Sequence, residues 1–142
     1  MMYSLNHRYR ELHTNEFAFR RLTGFRPPEF EALHEPFSRA WTEYFNHYTL
    51  DGKSRHRRVS VRKNNIFTNT QDVLLFALLY HKGNVLQEEL ATQFGIDQPK
   101  ASKYLYLINK LLNKILDEDG KVLSKPKLKR IKQAVTMNGE SQ

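Results

Sequence analysis

The chain has 142 residues, 39% of them hydrophobic, enough to build a core for one domain or for one small domain with appendages. Twenty-three lysines and arginines oppose fifteen aspartates and glutamates, and the resulting net charge of +8 selects a polyanionic partner, nucleic acid ahead of an anionic membrane surface. Cysteine is absent, which excludes disulfides, thiolate catalysis and cysteine-based zinc sites.

The opening segment MMYSLNHRYR has no apolar signal-peptide core. The longest apolar run, residues 73–80, is far short of the roughly 20 residues that span a bilayer. A cytoplasmic protein without a membrane partner is expected.

Residues 15–22 read as a short helix stopped at Gly24, and Pro27-Pro28 open a longer helix reaching to about Tyr48. Phe30, Leu33, Phe37, Trp41, Tyr44, Phe45 and Tyr48 recur at helical spacing along it, the pattern of a core-packing or dimer-forming face. Pro36 lies inside this segment and either kinks it or splits it in two, because it removes a backbone donor and crowds the preceding turn.

Asp51-Gly52 signals a turn. The following KSRHRRVSVRKNN carries Lys53, Arg55, Arg57, Arg58, Arg62 and Lys63 with no acid among them, an arm suited to phosphates or to a minor groove. Val59 and Val61 alternate with polar residues, which leaves room for a short β-hairpin.

A helix over about 70–81 follows, with Thr68 and Gln71 spaced as a capping box. Its segment VLLFALLY is apolar on every side, so it belongs in the middle of a bundle. Gly83 ends it, Asn84 is placed to cap the next helix, and Leu86, Leu90, Ala91 and Phe94 are expected to face inward.

Residues 87–106, QEELATQFGIDQPKASKYLY, then fit a helix-turn-helix. Two helices crossing steeply need a small residue where they touch and a flexible one in the turn, and Ala91 and Gly95 supply them. Asp97 is the expected N-cap of the second helix, and Pro99 falls in its first turn, where a missing N–H costs nothing. At 100° per residue, Ala101, Tyr104, Leu105, Ile108, Leu111, Leu112 and Ile115 form one apolar stripe. Pro99, Ser102, Lys103, Tyr106 and Lys110 lie opposite.

The outward face carries groups matched to base edges and phosphates. Gln98 is able to pair bidentately with adenine, Lys103 to reach guanine or phosphate, and Ser102 and Tyr106 extend that line. Lys100 sits nearer the backbone side, as do Arg55, Arg57, Arg58, Arg62 and Lys63 on the arm.

Other chemistry has no footing. The six histidines show no ligand-like pairing, Asp117-Glu118-Asp119 reads as a solvated helix end, and neither a phosphate-binding glycine loop nor a nucleophile elbow occurs. No metal, cofactor or catalytic residue is expected.

In content and order, three pieces resemble the N-terminal helix-turn-helix domain of insertion-sequence transposases of the DDE endonuclease superfamily. These are RLTGFRPPEFEAL at 21–33, QDVLLFALLYHKGNVLQEELATQFGI at 71–96 and QPKASKYLYLINKLL at 98–112, with the basic linker between the first two. The resemblance implies binding of transposon-end double-stranded DNA. It also implies that the metal-dependent catalytic domain of that family would follow.

In the tail, Asn138-Gly139-Glu140 stands where that family usually has Asp-Gly-Thr-Glu, and a neutral asparagine is a poor magnesium ligand. The chain is therefore expected to bind rather than cut, as a truncated or domesticated transposase.

Two alternatives stay open. One is a transcriptional regulator at an operator; the other is a protein-interaction module, a homo-oligomer or a partner of a full-length transposase. The expected architecture is an all-α bundle. Its parts are an N-terminal helical region (1–52), a basic arm (53–66), a helix-turn-helix domain (67–117) and a basic, flexible tail (118–142).

Overall fold

Asparagine, proline and glycine mark several of the helix boundaries that the sequence suggests, while the first and last helices stand outside that expectation. In the computed structural model, which describes residues 9–54, 69–83, 86–119 and 123–140, the elements are α1 (Tyr9–Leu12), α2 (Glu16–Thr23), α3 (Pro27–His47), α4 (Thr70–Gly83), α5 (Gln87–Phe94), α6 (Gln98–Asp119) and α7 (Lys125–Glu140). The protein is all-α, with no strand among the described residues and one isolated antiparallel bridge between Tyr48 and Ser54. The hairpin expected around Val59 and Val61 lies outside the described residues, as does Thr68. Among the described residues no helix is long and apolar enough to cross a membrane.

Local chemistry accounts for most boundaries. The Asn15 side-chain oxygen accepts the Ala18 N–H at 3.1 Å to open α2, and Gly24 closes it at φ 83° with its N–H donating to the Arg20 carbonyl at 2.8 Å. At the start of α3 the Glu29 carboxylate accepts the Arg26 N–H at 2.8 Å. Pro36 neither splits nor ends α3; it is buried within one continuous helix, whose Leu33 and Phe37 are buried on either side of it. Packing against α4 and α6 outweighs the lost backbone bond.

Asn69 opens α4 by accepting the Asp72 N–H at 2.8 Å, and the Gln71 amide donates to Glu31 of α3 at 2.7 Å; Thr68, the expected partner of Gln71 in a capping box, lies outside the described residues. At α5 the N-cap position falls on Leu86, which makes no side-chain cap and is 62% exposed rather than turned inward. The helix begins at Gln87, so Leu86 precedes its buried face. Asn84 lies outside the described residues.

Helix α4 is the axis of the core: residues 73–79 are all at most 5% exposed, and α1, α2, α3, α5, α6 and α7 all pack on it. Tyr9, Phe19 and Phe30 cluster at one end, with ring centroids 4.8 Å apart for Tyr9–Phe30 and 5.3 Å for Phe19–Phe30. Phe76 meets Phe94 edge-on at 4.9 Å and so couples α4 to α5. Buried polar groups are satisfied, since Asp72 accepts the Tyr9 backbone N–H at 2.9 Å and Asn109 bonds His81 at 2.7 Å.

The tail departs from expectation. Residues 125–140 form α7, which buries Ile131 and Val135 and packs along α6, with Leu123 buried just before it. Lys127 of α7 reaches Glu29 of α3 at 2.6 Å, and Lys132 pairs with Asp117. Burial by itself raises the Glu29 pKa, but the Arg26 N–H and Lys127 outweigh it and hold the carboxyl below its ordinary value.

Candidate nucleic-acid interface

The turn between α5 and α6 is built from its own residues. Ala91 is 1% exposed, and Gly95 adopts φ 77° and ψ 28°, the left-handed conformation that lets the chain reverse without side-chain strain. The Ile96 N–H donates to the Ala91 carbonyl at 3.0 Å, which closes α5, and Asp97 accepts the Lys100 N–H at 2.9 Å, which opens α6. Ala101, Leu105, Ile108, Leu111, Leu112 and Ile115 are buried as the stripe requires. Tyr104 is only partly buried, and Leu107 is buried although it lies off the stripe.

On the other side, Gln98, Pro99, Lys100, Lys103, Tyr106 and Lys110 are exposed and Ser102 is half-buried. The structure therefore brings five of the expected contact residues, Gln98, Lys100, Ser102, Lys103 and Tyr106, onto the outer side of α6. The other five, Arg55, Arg57, Arg58, Arg62 and Lys63, lie outside the described residues. The root of their arm is described. Thr49 and Lys53 close a turn through the Thr49 N–H donating to the Lys53 carbonyl at 2.9 Å, and Asp51 in that turn touches α6.

This contact changes the picture of the face. The Lys103 ammonium meets the Asp51 carboxylate at 2.7 Å, with both side chains more than half exposed. The hydrogen bond and charge of Lys103 hold Asp51 below its ordinary pKa against a small desolvation effect, with Lys53 and Lys100 helping, so Asp51 is ionised at neutral pH. Between this turn and α6 lies an open hollow of about 590 Å³, walled by Tyr44, Leu50 and Asp51 on one side and Ser102, Lys103 and Tyr106 on the other. Trp41 stacks near Tyr104 at 6.3 Å and fixes α3 beside this stretch of α6.

Gln98 also has a partner. Its amide N–H donates to the side-chain carbonyl of Gln87, the first residue of α5, at 2.7 Å. A glutamine amide carries two N–H donors and one carbonyl, so this bond leaves one donor and the acceptor for another molecule.

Gln87 and Asp51 are the two residues of this face that sequence reading passes over. Asp51 reads as a turn former and Gln87 as a helix-start residue, and only their tertiary contacts give them a place here. No protein-family profile, curated protein or solved structure matches the chain.

Proposed function

We propose that this protein binds double-stranded DNA by inserting the N-terminal part of α6 into the major groove, the role of the DNA-end-binding domain of a transposase, and that it performs no catalysis itself. The observation that carries the reading is the mounting of α6. Gly95 and Asp97 set it on α5 with its apolar stripe buried, while Gln98, Lys100 and Lys103 are left at the solvent.

Gln98 then accepts from adenine N6 with its carbonyl and donates to N7 with the N–H that Gln87 leaves open. Lys103 exchanges Asp51 for a phosphate or a guanine edge, and Lys100 neutralises backbone charge. The 49–53 turn touches α6 at Lys103, so the arm that continues from it, with Arg55, Arg57, Arg58, Arg62 and Lys63, starts next to the groove-reading helix and is available for phosphates or the adjoining minor groove.

The aromatic side of α3 gives less support to an interaction module. Phe30, Leu33 and Phe37 are buried and Trp41, Tyr44 and Phe45 are packed against the chain's own core, so Tyr48, 42% exposed at the end of the helix, is the part of that side most open to a second protein.

The test is selection of bound fragments from a random duplex pool, run beside a Gln98→Ala, Lys103→Ala double variant. Enrichment of a motif by the native chain but not by the variant is the expected result, and a motif matching inverted repeats assigns transposon ends rather than an operator. Absence of any motif with the native chain would overturn the groove-reading proposal.

A further inference from the structure

A second cationic site lies where α2, α4 and α7 meet. A hollow of about 250 Å³ is floored by Phe25, Leu78 and Ile131, and Lys82 and Arg130 stand at its edge. These two side chains converge on Gly24: a Cβ placed there would lie 3.5 Å from the Arg130 Nη2 atom and 3.5 Å from the Lys82 Cδ and Cε atoms. Two other cations of α7, Lys127 and Lys132, have acidic partners in Glu29 and Asp117. Among the described residues no carboxylate lies within 4.0 Å of Lys82 or Arg130.

The last turns of α2 and α4 both contribute to this corner, α2 closing at Gly24 and α4 carrying Lys82. A helix C-terminus supplies about half a negative charge, so two ends at this corner offset about one of the two cations and leave about one positive charge that no carboxylate among the described residues neutralises. The Thr23 hydroxyl does not supply that partner. It donates to the Phe19 carbonyl at 2.7 Å and accepts the Phe25 N–H at 3.0 Å. Both charged side chains are exposed, so an anion reaches them directly from solvent.

From this geometry we infer that Lys82 and Arg130 form a phosphate-binding site, with Arg130 offering a planar fork of N–H donors and Lys82 a point charge. The phosphate arrives either on a DNA backbone or on a small phosphorylated molecule. The site contains no residue of α6, so it stands or falls separately from the groove reading.

The experiment titrates inorganic phosphate into the full chain in a buffer free of other oxyanions, reading backbone amide shifts at Thr23, Gly24 and Ala134. Lys82→Ala, Arg130→Ala is the test variant and Lys125→Ala, Lys129→Ala the control with equal charge removed from positions that do not line the hollow; circular dichroism checks that both fold. Saturable shifts in the native chain and the control, lost in the test variant, are expected. No saturable shift in the native chain, or the same shift in the test variant, would overturn the site. A fall in melting temperature of the test variant with phosphate binding intact would likewise show that the two cations serve only the helix ends.

Binding to a random-sequence duplex at several salt concentrations separates the sources. A log–log slope shallower than the control's by about 0.9 per lost contact assigns a DNA phosphate, and an equal slope assigns a free phosphorylated ligand.

Discussion

Substitution of Gly95 is the sharpest structural perturbation of the turn that orients α6. The residue sits at φ 77° and ψ 28°, and a Cβ built there meets nothing within 4 Å. Steric clash with neighbours therefore contributes nothing, and the whole cost is the left-handed backbone itself, about 1–2 kcal/mol for an L-residue. For alanine, the reduced freedom of the unfolded chain offsets about 0.4–1 kcal/mol of that, leaving a net loss near 1 kcal/mol. Gly95→Asn should cost less, because asparagine tolerates this region, and Gly95→Val more, because a β-branched residue is a true outlier there.

For a chain of this size, each kcal/mol moves the melting temperature by roughly 2–4 °C. Urea unfolding should show the midpoint falling in the order Asn, Ala, Val with an unchanged slope. A valine variant no less stable than the asparagine variant would refute the left-handed turn and with it the geometry of the unit.

Glu29→Gln should lower stability by about 1–2 kcal/mol, between the values for exposed and buried pairs, since its ion pair with Lys127 is about four-fifths shielded, and α7 should become more sensitive to protease; unchanged cleavage would contradict the role assigned to this tie. Asp51→Asn frees Lys103 and should tighten DNA binding relative to Asp117→Asn, a variant of equal charge change; equal affinities would show that Asp51 does not compete for Lys103.

Burial holds both His34 and His81 below the ordinary pKa of 6.5, with Glu31 partly opposing it at the first and the Asn109 hydrogen bond at the second. A depressed histidine means that the unfolded chain binds protons the fold refuses. Their share of stability is full above pH 6.5 and falls as the pH drops from there toward the folded values. Melting temperature should decline between pH 7 and 5, above the carboxylate range, and decline less in a His34→Gln, His81→Gln variant; equal declines would refute the assignment.

The helix-turn-helix was legible because its determinants are local. Ala91, Gly95, Asp97 and Pro99 each act within a few residues of their own position, and the stripe from Ala101 to Ile115 has a single period over four turns. Helix α4 was legible for the opposite reason, being apolar on all sides and so without any exposed face.

What escaped the sequence depends on distant partners. Helix α7 marks its period chiefly by Leu128, Ile131 and Val135, interleaved with lysines, and its inner side exists only against α6 and α4. Gln71 bonds Glu31, a partner forty residues earlier that local spacing does not reveal. Leu107 lies off the stripe drawn from Ala101 yet is buried at the hollow beneath the 49–53 turn. The positions of Gln87 and Asp51 at the candidate site likewise follow from the folding of α5 and the turn against α6.

The most direct test of groove reading pairs a base change with a side-chain change. In the selected duplex, each adenine is replaced in turn by 7-deazaadenine, which lacks the N7 acceptor, and affinity is measured for the native chain and for Gln98→Ala. The account predicts one adenine at which the analogue weakens the native chain roughly tenfold, the low end of what one specific base pair contributes, and has no further effect on the variant. Equal losses in both proteins at every adenine, or no loss at any, would contradict the assignment of Gln98 and of α6 as the helix that reads DNA.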